Sequence, residues 1–226
     1  MKTAPDFNCL ARVYRLLEVA TFGSSLWRCR TTYLDELHFS RNALIIGDGD
    51  GRFTARLLDQ NDVVHIDALD ASYSMLVTLI RNAGVHSGRV RPHHADARHW
   101  EPPNSPYDLI ATHFFLDCLT TEEVAALARR LRSHMSPSSR WVVSEFAVPD
   151  SWFGWIIARP LVTVLYVAFW LLTGLRLFRL PDHRDALPQA GFTLKRWTPS
   201  LGGLLVSEVW EPEWSPEDST SVDRSV

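Results

Sequence analysis

Three glycines at every second position, Gly47, Gly49 and Gly51, follow the apolar run Leu44-Ile45-Ile46 and hold two carboxylates, Asp48 and Asp50, between them. Glycines between a strand and a helix let a ligand approach the backbone, and the helix N-terminus adds unpaired N–H groups. Three ligand loops share that layout. A phosphate cradle of the form G-x-x-x-x-G-K-[ST] needs a lysine, but Arg52 stands five positions after Gly47. The dinucleotide pattern G-x-G-x-x-G fits Gly47 and Gly49, yet it puts the bulk of Arg52 at its third small position. Asp48 and Asp50 would also repel a diphosphate. A cofactor that carries a cation and no phosphate suits this loop better.

The elements that must position such a loop can be read from periodicity. Within 6–38, Leu10, Val13, Leu16, Leu17 and Ala20 share one helical face and Phe22-Gly23 interrupts it, which predicts two helices joined near Gly23. "ALIIG" and "VVHIDALD" are strand-like runs flanking a helical stretch at 52–60, a βαβ unit. A helix at 72–84 is opened by Ser72 and closed by Gly84, and a strand follows at about 89–94. "YDLIATHFFL" at 107–116 predicts a buried strand, 120–135 an amphipathic helix capped by Thr120 or Thr121, and "RWVVSEFAV" the next strand. "FTLKRWTPSLGGLLVSEVWE" reads as an antiparallel hairpin through Gly202-Gly203 at the sheet edge. Such alternation predicts a mainly parallel sheet covered on both faces, with ligands at the C-terminal strand ends.

Composition narrows the class. The 226 residues fit one α/β domain, and a net charge of -3 without a long basic run argues against nucleic acid as a partner. Cys9, Cys29 and Cys118 lack metal spacing and are odd in number, which argues for a reducing cytoplasm over a disulfide framework or zinc site. The N-terminal residues carry scattered charges and do not read as a secretory signal. One segment is unusual. Between Arg159 and Arg176 lie 16 uncharged residues, short of the roughly 20 that a spanning helix needs, and Pro160 can open a helix there. A core helix, a hydrophobic cap over a substrate pocket, and contact with a membrane surface or partner all fit 152–180. Its aromatic load, Trp152, Phe153, Trp155, Tyr166, Phe169 and Trp170, is heavy for a core helix alone.

Taken together, the motifs carry a family resemblance. "ALIIGDGDGRF" resembles the G-x-G-x-G loop of class I S-adenosylmethionine-dependent methyltransferases, and "IDALDASYSML" resembles their second motif, an acid, a small residue and a methionine: Asp70, Ala71 and Met75. "HHADARHW" is similar to the third, with Asp96 accepting from the adenine amino group beside Ala97, and "YDLIATHFFLDCLT" looks like the fourth strand and the turn after it. The resemblance runs from about 40 to 150 and continues more weakly through "LPQAGFTL" and the last hairpin. It implies S-adenosylmethionine as cofactor, with Gly47, Gly49 and Gly51 at the loop and Asp70 on the ribose hydroxyls. The family commonly has an acid two positions before the first glycine, where this chain has Ile45. The expectation is that Asp48 takes over its role in orienting the loop or the methionine amino group.

Plainer readings stand beside these. Asp70 also suits a neighbour of a helix N-cap, Asp96 a solvated loop, and Met75 core packing more than a cofactor contact. His113 and Asp117 follow the fourth strand, where the methyl acceptor approaches in this fold, so either can serve as a general base. A pocket-wall histidine, also within reach of the cofactor, and a helix-capping aspartate are the alternatives. In relatives the segment before the first strand folds over the cofactor, which nominates Tyr14 and then Arg30. His93 and His94 alternate faces on a strand, and with His99 they complete no metal site.

The expectation is a Rossmann-like class I methyltransferase fold in one domain, 1–210: a seven-stranded, mostly parallel sheet with helices on both faces and an antiparallel terminal hairpin. Its parts are a helical cap (1–40), a cofactor-binding core (41–150), a hydrophobic helical insertion (151–185) and the hairpin (186–210), followed by a disordered acidic tail (211–226). The implied activity is methyl transfer from S-adenosylmethionine to a small apolar acceptor in the cytoplasm, with peripheral membrane contact through 152–180 one of the open alternatives for that segment. The alternatives are a non-catalytic module binding S-adenosylmethionine or another adenosine ligand, and a membrane-docking protein of the same fold.

Overall fold

The computed structural model describes residues 23–103, 106–147 and 181–213. Tyr14, the segment 152–180 and the tail from 214 onward lie outside the described residues. The elements are α1 (Ser25–Arg30), β1 (Asn42–Ile46), α2 (Arg52–Gln60), β2 (His65–Asp70), α3 (Tyr73–Ala83), β3 (Val90–His94), β4 (Tyr107–His113), α4 (Thr121–Arg132), β5 (Met135–Phe146), α5 (His183–Gln189), β6 (Phe192–Ser200) and β7 (Leu205–Pro212). They build one seven-stranded sheet in the order β3-β2-β1-β4-β5-β7-β6. The first five strands are parallel, and β7 lies antiparallel between β5 and β6. Because β1 pairs with both β2 and β4, the strand order reverses beside it, and the crevice at its C-terminal end is where such sheets take ligands.

Local chemistry explains most boundaries. The Ser72 hydroxyl accepts from Met75 N–H and opens α3, and Gly84, at φ 54°, closes it. α4 begins with a reciprocal capping box between Thr120 and Glu123; Glu122 and Glu123 sit in its first turn and Arg129, Arg130 and Arg132 in its last. Two apolar cores flank the sheet, one centred on Leu44, Ile110, Leu131 and Trp141, the other on Ile45, Phe53, Leu57 and Leu109.

Three details depart from expectation. The strand predicted to reach 116 stops at His113, because Phe114 takes φ 55° and turns the chain into a 3-10 turn at Leu116–Cys118. β5 starts at Met135, so α4 ends at Arg132 rather than 135. The stretch 186–210 is not hairpin alone, since it opens inside α5, whose Ala186 and Leu187 join the first core; β7 then runs past 210 to Pro212. As the order read from the sequence has it, no helix lies between β3 and β4 among the described residues, and the sheet face there carries a polar network. Asp67, 4% exposed, meets His93 Nε2 at 2.8 Å and accepts from the Tyr107 hydroxyl at 2.7 Å.

α1 is fastened to the far side of the sheet. The Cys29 carbonyl accepts from the hydroxyls of Ser207 (2.7 Å) and Ser144 (3.2 Å), and Tyr33 and Thr198 share a hydroxyl–hydroxyl bond of 2.8 Å. No helix among the described residues is long and apolar enough to cross a membrane.

Candidate functional site

The three loop glycines have different duties. A Cβ on Gly47, at φ 70°, would lie 2.4 Å from Phe115 Cδ2, and one on Gly51, at φ 78°, would lie 2.6 Å from Leu79 Cα. Those two glycines are needed for the loop to pack against the β4 turn and against α3. Only Gly49, at φ 62°, would carry a Cβ into space with nothing within 4 Å. Ligand access to the backbone, expected at all three, is therefore open at Gly49.

Beside it stands Asp70 at the C-terminal end of β2. Its carboxylate accepts from Ser72 N–H at 2.7 Å and from the Gly49 N–H, so one side chain ties the loop to the second strand. Burial pushes its pKa up to about 6, against the opposing pull of the Ser72 N–H. It is still partly exposed, which leaves lone pairs for a ligand's hydroxyls.

Asp48 turns inward. Its Oδ2 accepts from the backbone N–H (2.8 Å) and the hydroxyl (2.7 Å) of Thr54 in α2, while Oδ1 is buried without a hydrogen-bond partner. Burial raises its pKa, and Arg30 opposes that rise. Of the two roles expected for Asp48, this geometry serves orientation of the loop. Asp50 pairs with Arg52 Nε at 3.0 Å.

His113 is 2% exposed, with Nδ1 bonded to the Ser144 hydroxyl at 2.9 Å and its ring edge-on to Phe53 at 4.2 Å. When Ser144 donates to the Cys29 carbonyl, Nδ1 is the donor in this pair and Nε2 is left as a bare acceptor. Nε2 is buried without a hydrogen-bond partner. Burial, then Arg30, hold the pKa well below the usual histidine value, so the ring is neutral at pH 7 and weakly basic. That disfavours His113 as the general base. Arg30, 9% exposed, lies with its guanidinium 5.3 Å from the Phe114 ring centre and close enough to act electrostatically on both Asp48 and His113. The structure thus gathers Arg30, Asp48 and His113 beside the loop, with two unsatisfied acceptor atoms among them. Buried polar atoms without partners are uncommon, and a ligand with a cationic and an anionic end suits this set.

The remaining nominations are dispersed. Ala71 is exposed and Met75 half-buried at the start of α3. Asp96 accepts from Arg98 N–H (2.9 Å) and Nη1 (3.1 Å); burial opposes its ionisation, but the Arg98 contacts outweigh it and lower the pKa. Ala97 is buried in the first core.

On the acceptor side, Asp117 occupies the 3-10 turn after β4, and burial raises its pKa to about 6. Sequence reasoning assigned no role to Glu145, which is 2% exposed at the end of β5. Oε1 accepts from the backbone N–H groups of Phe115 (3.0 Å) and Leu116 (2.7 Å), and Oε2 is buried without a hydrogen-bond partner. An acid inside the apolar run "RWVVSEFAV" was the available signal. Glu208 on β7 is a second such acid, and its carboxylate is fully engaged by His183 (3.0 Å), Arg184 (2.6 Å) and the Trp210 indole N–H (2.8 Å).

A family model described as a methyltransferase domain matches residues 43–138. A sequence comparison with curated proteins finds no match. Among solved structures, a mitomycin 7-O-methyltransferase is similar at TM-score 0.65 and 16% identity, over 89% of this chain and 57% of that one. A TehB-like SAM-dependent methyltransferase from Corynebacterium glutamicum is similar at TM-score 0.60 and 14% identity, over 91% of this chain and 97% of that one. An O-methyltransferase family protein from Burkholderia thailandensis is similar at TM-score 0.66 and 12% identity, over 90% of this chain and 59% of that one. This chain therefore spans less than two thirds of the length of the first and third.

Proposed function

We propose, from the premise that this chain carries a class I S-adenosylmethionine-dependent methyltransferase domain, that it transfers a methyl group to a small, apolar, hydroxyl-bearing acceptor. The observation that carries this reading is the open approach at Gly49 beside the Asp70 carboxylate, next to the unsatisfied Asp48 Oδ1 and His113 Nε2. When bound, the cofactor supplies an electrophilic methyl group on a sulfonium.

The chain supplies the rest. Asp70 accepts from a vicinal pair of hydroxyls, and Gly49 leaves room at the loop. Arg30 and the Asp48–His113 pair take the charged amino-acid end. Phe114 and Phe146, whose ring centres are 5.0 Å apart, line the turn next to Asp117 and keep water from the acceptor. Methyl transfer depends mainly on alignment, so rigid support of the turn matters more than any one group. Asp117 removes the acceptor's proton. The resemblance to O-methyltransferases in the compared structures supports hydroxyl acceptors.

Calorimetry with S-adenosylmethionine, followed by product analysis on apolar phenols and on polar hydroxylated compounds, tests the reading. Cofactor binding with turnover of apolar phenols is the expected result. Tight binding with no product on any acceptor would instead favour a binding module of the same fold.

A further inference from the structure

Glu145 lies two residues further along β5 than Val143, the register partner of Glu208 on β7. Its buried carboxyl supports a turn and keeps one oxygen in reserve. Its Oε1 holds the backbone N–H groups of Phe115 and Leu116, which fixes the turn in which Phe114 is held at φ 55°. An aromatic residue in the left-handed region is strained, so the turn needs such a clamp. The clamp uses one oxygen only. Oε2 remains buried and unpaired at the end of the sheet where the acceptor approaches.

Among the described residues the groups acting on Glu145 are acids and thiols, with Arg30 acting on Cys29 and Arg98 on Cys118 at the edge of the cluster. Asp117 and Cys118 come from the 3-10 turn, Glu208 from β7 and Cys29 from α1. His183 and Arg184, which lie against Glu208, are bonded to Glu208 itself. Two carboxyls this close in apolar surroundings do not both ionise, so their protons come off in separate steps. Burial, then Asp117, push Glu145 well above the usual carboxylate range, whereas Asp117 rises only to about 6. Burial and the Asp117 charge both oppose ionisation of Glu145, and Asp117, at about 6, is the member of the pair suited to act as a base near neutral pH.

We propose that Glu145 and Asp117 form one acid–base unit at the acceptor end of the site, Asp117 as the catalytic base and Glu145 as the positioning residue that aims it, and that the unit selects weakly acidic hydroxyls, phenols or enols, over amines. This rests on the methyltransferase reading. In the reaction the acceptor's O–H bond breaks and its proton passes to the Asp117 carboxylate. The oxygen's electron pair forms the bond to the methyl carbon, and the sulfur–methyl bond breaks with its pair staying on sulfur. The proton then leaves Asp117 for solvent, so no oxidant or reductant is required. A neutral amine needs no base before attack, and its cationic form would pair with Asp117 and lose nucleophilicity.

The test uses the full chain with S-adenosylmethionine and two acceptor panels, simple phenols and primary aryl or alkyl amines, with kcat followed from pH 5 to 9. Phenols are expected to be methylated, with kcat rising through about pH 6. Asp117→Asn should abolish that rise and lower kcat by about 100-fold or more while the cofactor Kd holds. Glu145→Ala should lower kcat, since the turn that carries Asp117 loses the acceptor of its Phe115 and Leu116 N–H groups. Glu145→Gln, which keeps an oxygen for the two N–H groups, should restore most of the rate. Carboxyl 13C NMR titration of the same variants reads the coupling directly should Glu145→Ala prove too unstable for kinetics. Product formation with an unaltered rate and profile in Asp117→Asn, or preference for amines, would overturn the proposal alone. Cofactor binding without product from either panel would overturn the methyltransferase reading as well.

Discussion

The Phe115 ring lies so close to Gly47 that a Cβ there would come within 2.4 Å of Cδ2, which joins the cofactor loop to the acceptor-side turn by direct contact. Gly47→Ala adds that clash to a backbone at φ 70°, and overpacking of this kind costs about 1–3 kcal/mol. Gly49→Ala meets no protein atom, so its stability loss should stay near the roughly 1 kcal/mol of a left-handed alanine. The two should separate in opposite directions: thermal unfolding shows the larger drop for Gly47→Ala, and calorimetry with S-adenosylmethionine shows the larger loss for Gly49→Ala. Equal effects on both readouts would mean that the glycines share one duty.

Asp48 should tolerate loss of charge better than loss of its oxygens. Burial already disfavours its ionised form, and an asparagine oxygen can still accept from both Thr54 donors. Asp48→Ala leaves a buried N–H and hydroxyl without their acceptor, which costs about 1–3 kcal/mol. Chemical denaturation should therefore rank wild type, then Asp48→Asn, then Asp48→Ala. An alanine variant as stable as asparagine would remove Asp48 from the support of α2.

Asp70 predicts how cofactor affinity follows pH. Its folded pKa of about 6 lies above the ordinary 3.8, so in the free protein its contribution to stability is present below pH 3.8 and is lost as pH rises through about 6. Ligand hydroxyls favour the ionised form, so binding pulls that pKa down and affinity should increase between pH 5 and 7. Asp70→Asn should flatten this dependence and weaken binding at pH 7.5 at least about tenfold, the worth of one charged hydrogen bond. Calorimetry in two buffers of different ionisation enthalpy would show proton release on binding in the wild type and none in the variant.

Glu208 carries the heaviest penalty outside the site. Removing one partner from a buried ionic cluster costs about 3–5 kcal/mol, and Glu208→Ala would strand His183, Arg184 and the Trp210 N–H together. Burial opposes ionisation of Glu208, but its partners outweigh it and hold the pKa below 4.5. That contribution is therefore present above pH 4.5 and lost as pH falls through the lowered folded value. Urea unfolding should show the gap between wild type and Glu208→Gln shrinking in acid.

What the sequence disclosed was what neighbours in sequence determine. Ser72 and Gly84 delimited α3 because caps act within one turn, and a cap at Thr120 or Thr121 marked the start of α4 but not its end. The resemblance located Asp70 at the end of its strand, where the structure has it. Glu145 and Glu208 were passed over because an acid in a strand reads as a solvent-facing position, and the partners that make burial tolerable lie 29 and 25 residues away. The division of labour among Gly47, Gly49 and Gly51 depends on Phe115 and Leu79, so spacing alone could not reveal it. α5 was hidden by Pro188 and by its seven-residue length, although Asp182 is a sound cap whose side chain accepts from Asp185 N–H.

The fastening of α1 to β7 sets an order of events during synthesis. Cys29 and its hydrogen-bond partner Ser207 are 178 residues apart, and Arg30 follows Cys29 directly. On a ribosome α1 therefore has its Ser144 and Phe114 contacts first and gains its Ser207 bond only when nearly all of the described chain has emerged. A truncated product that stops short of β7 would retain the glycine loop yet hold α1 by fewer bonds. Completion of the polypeptide thus becomes a condition for fully fastening α1.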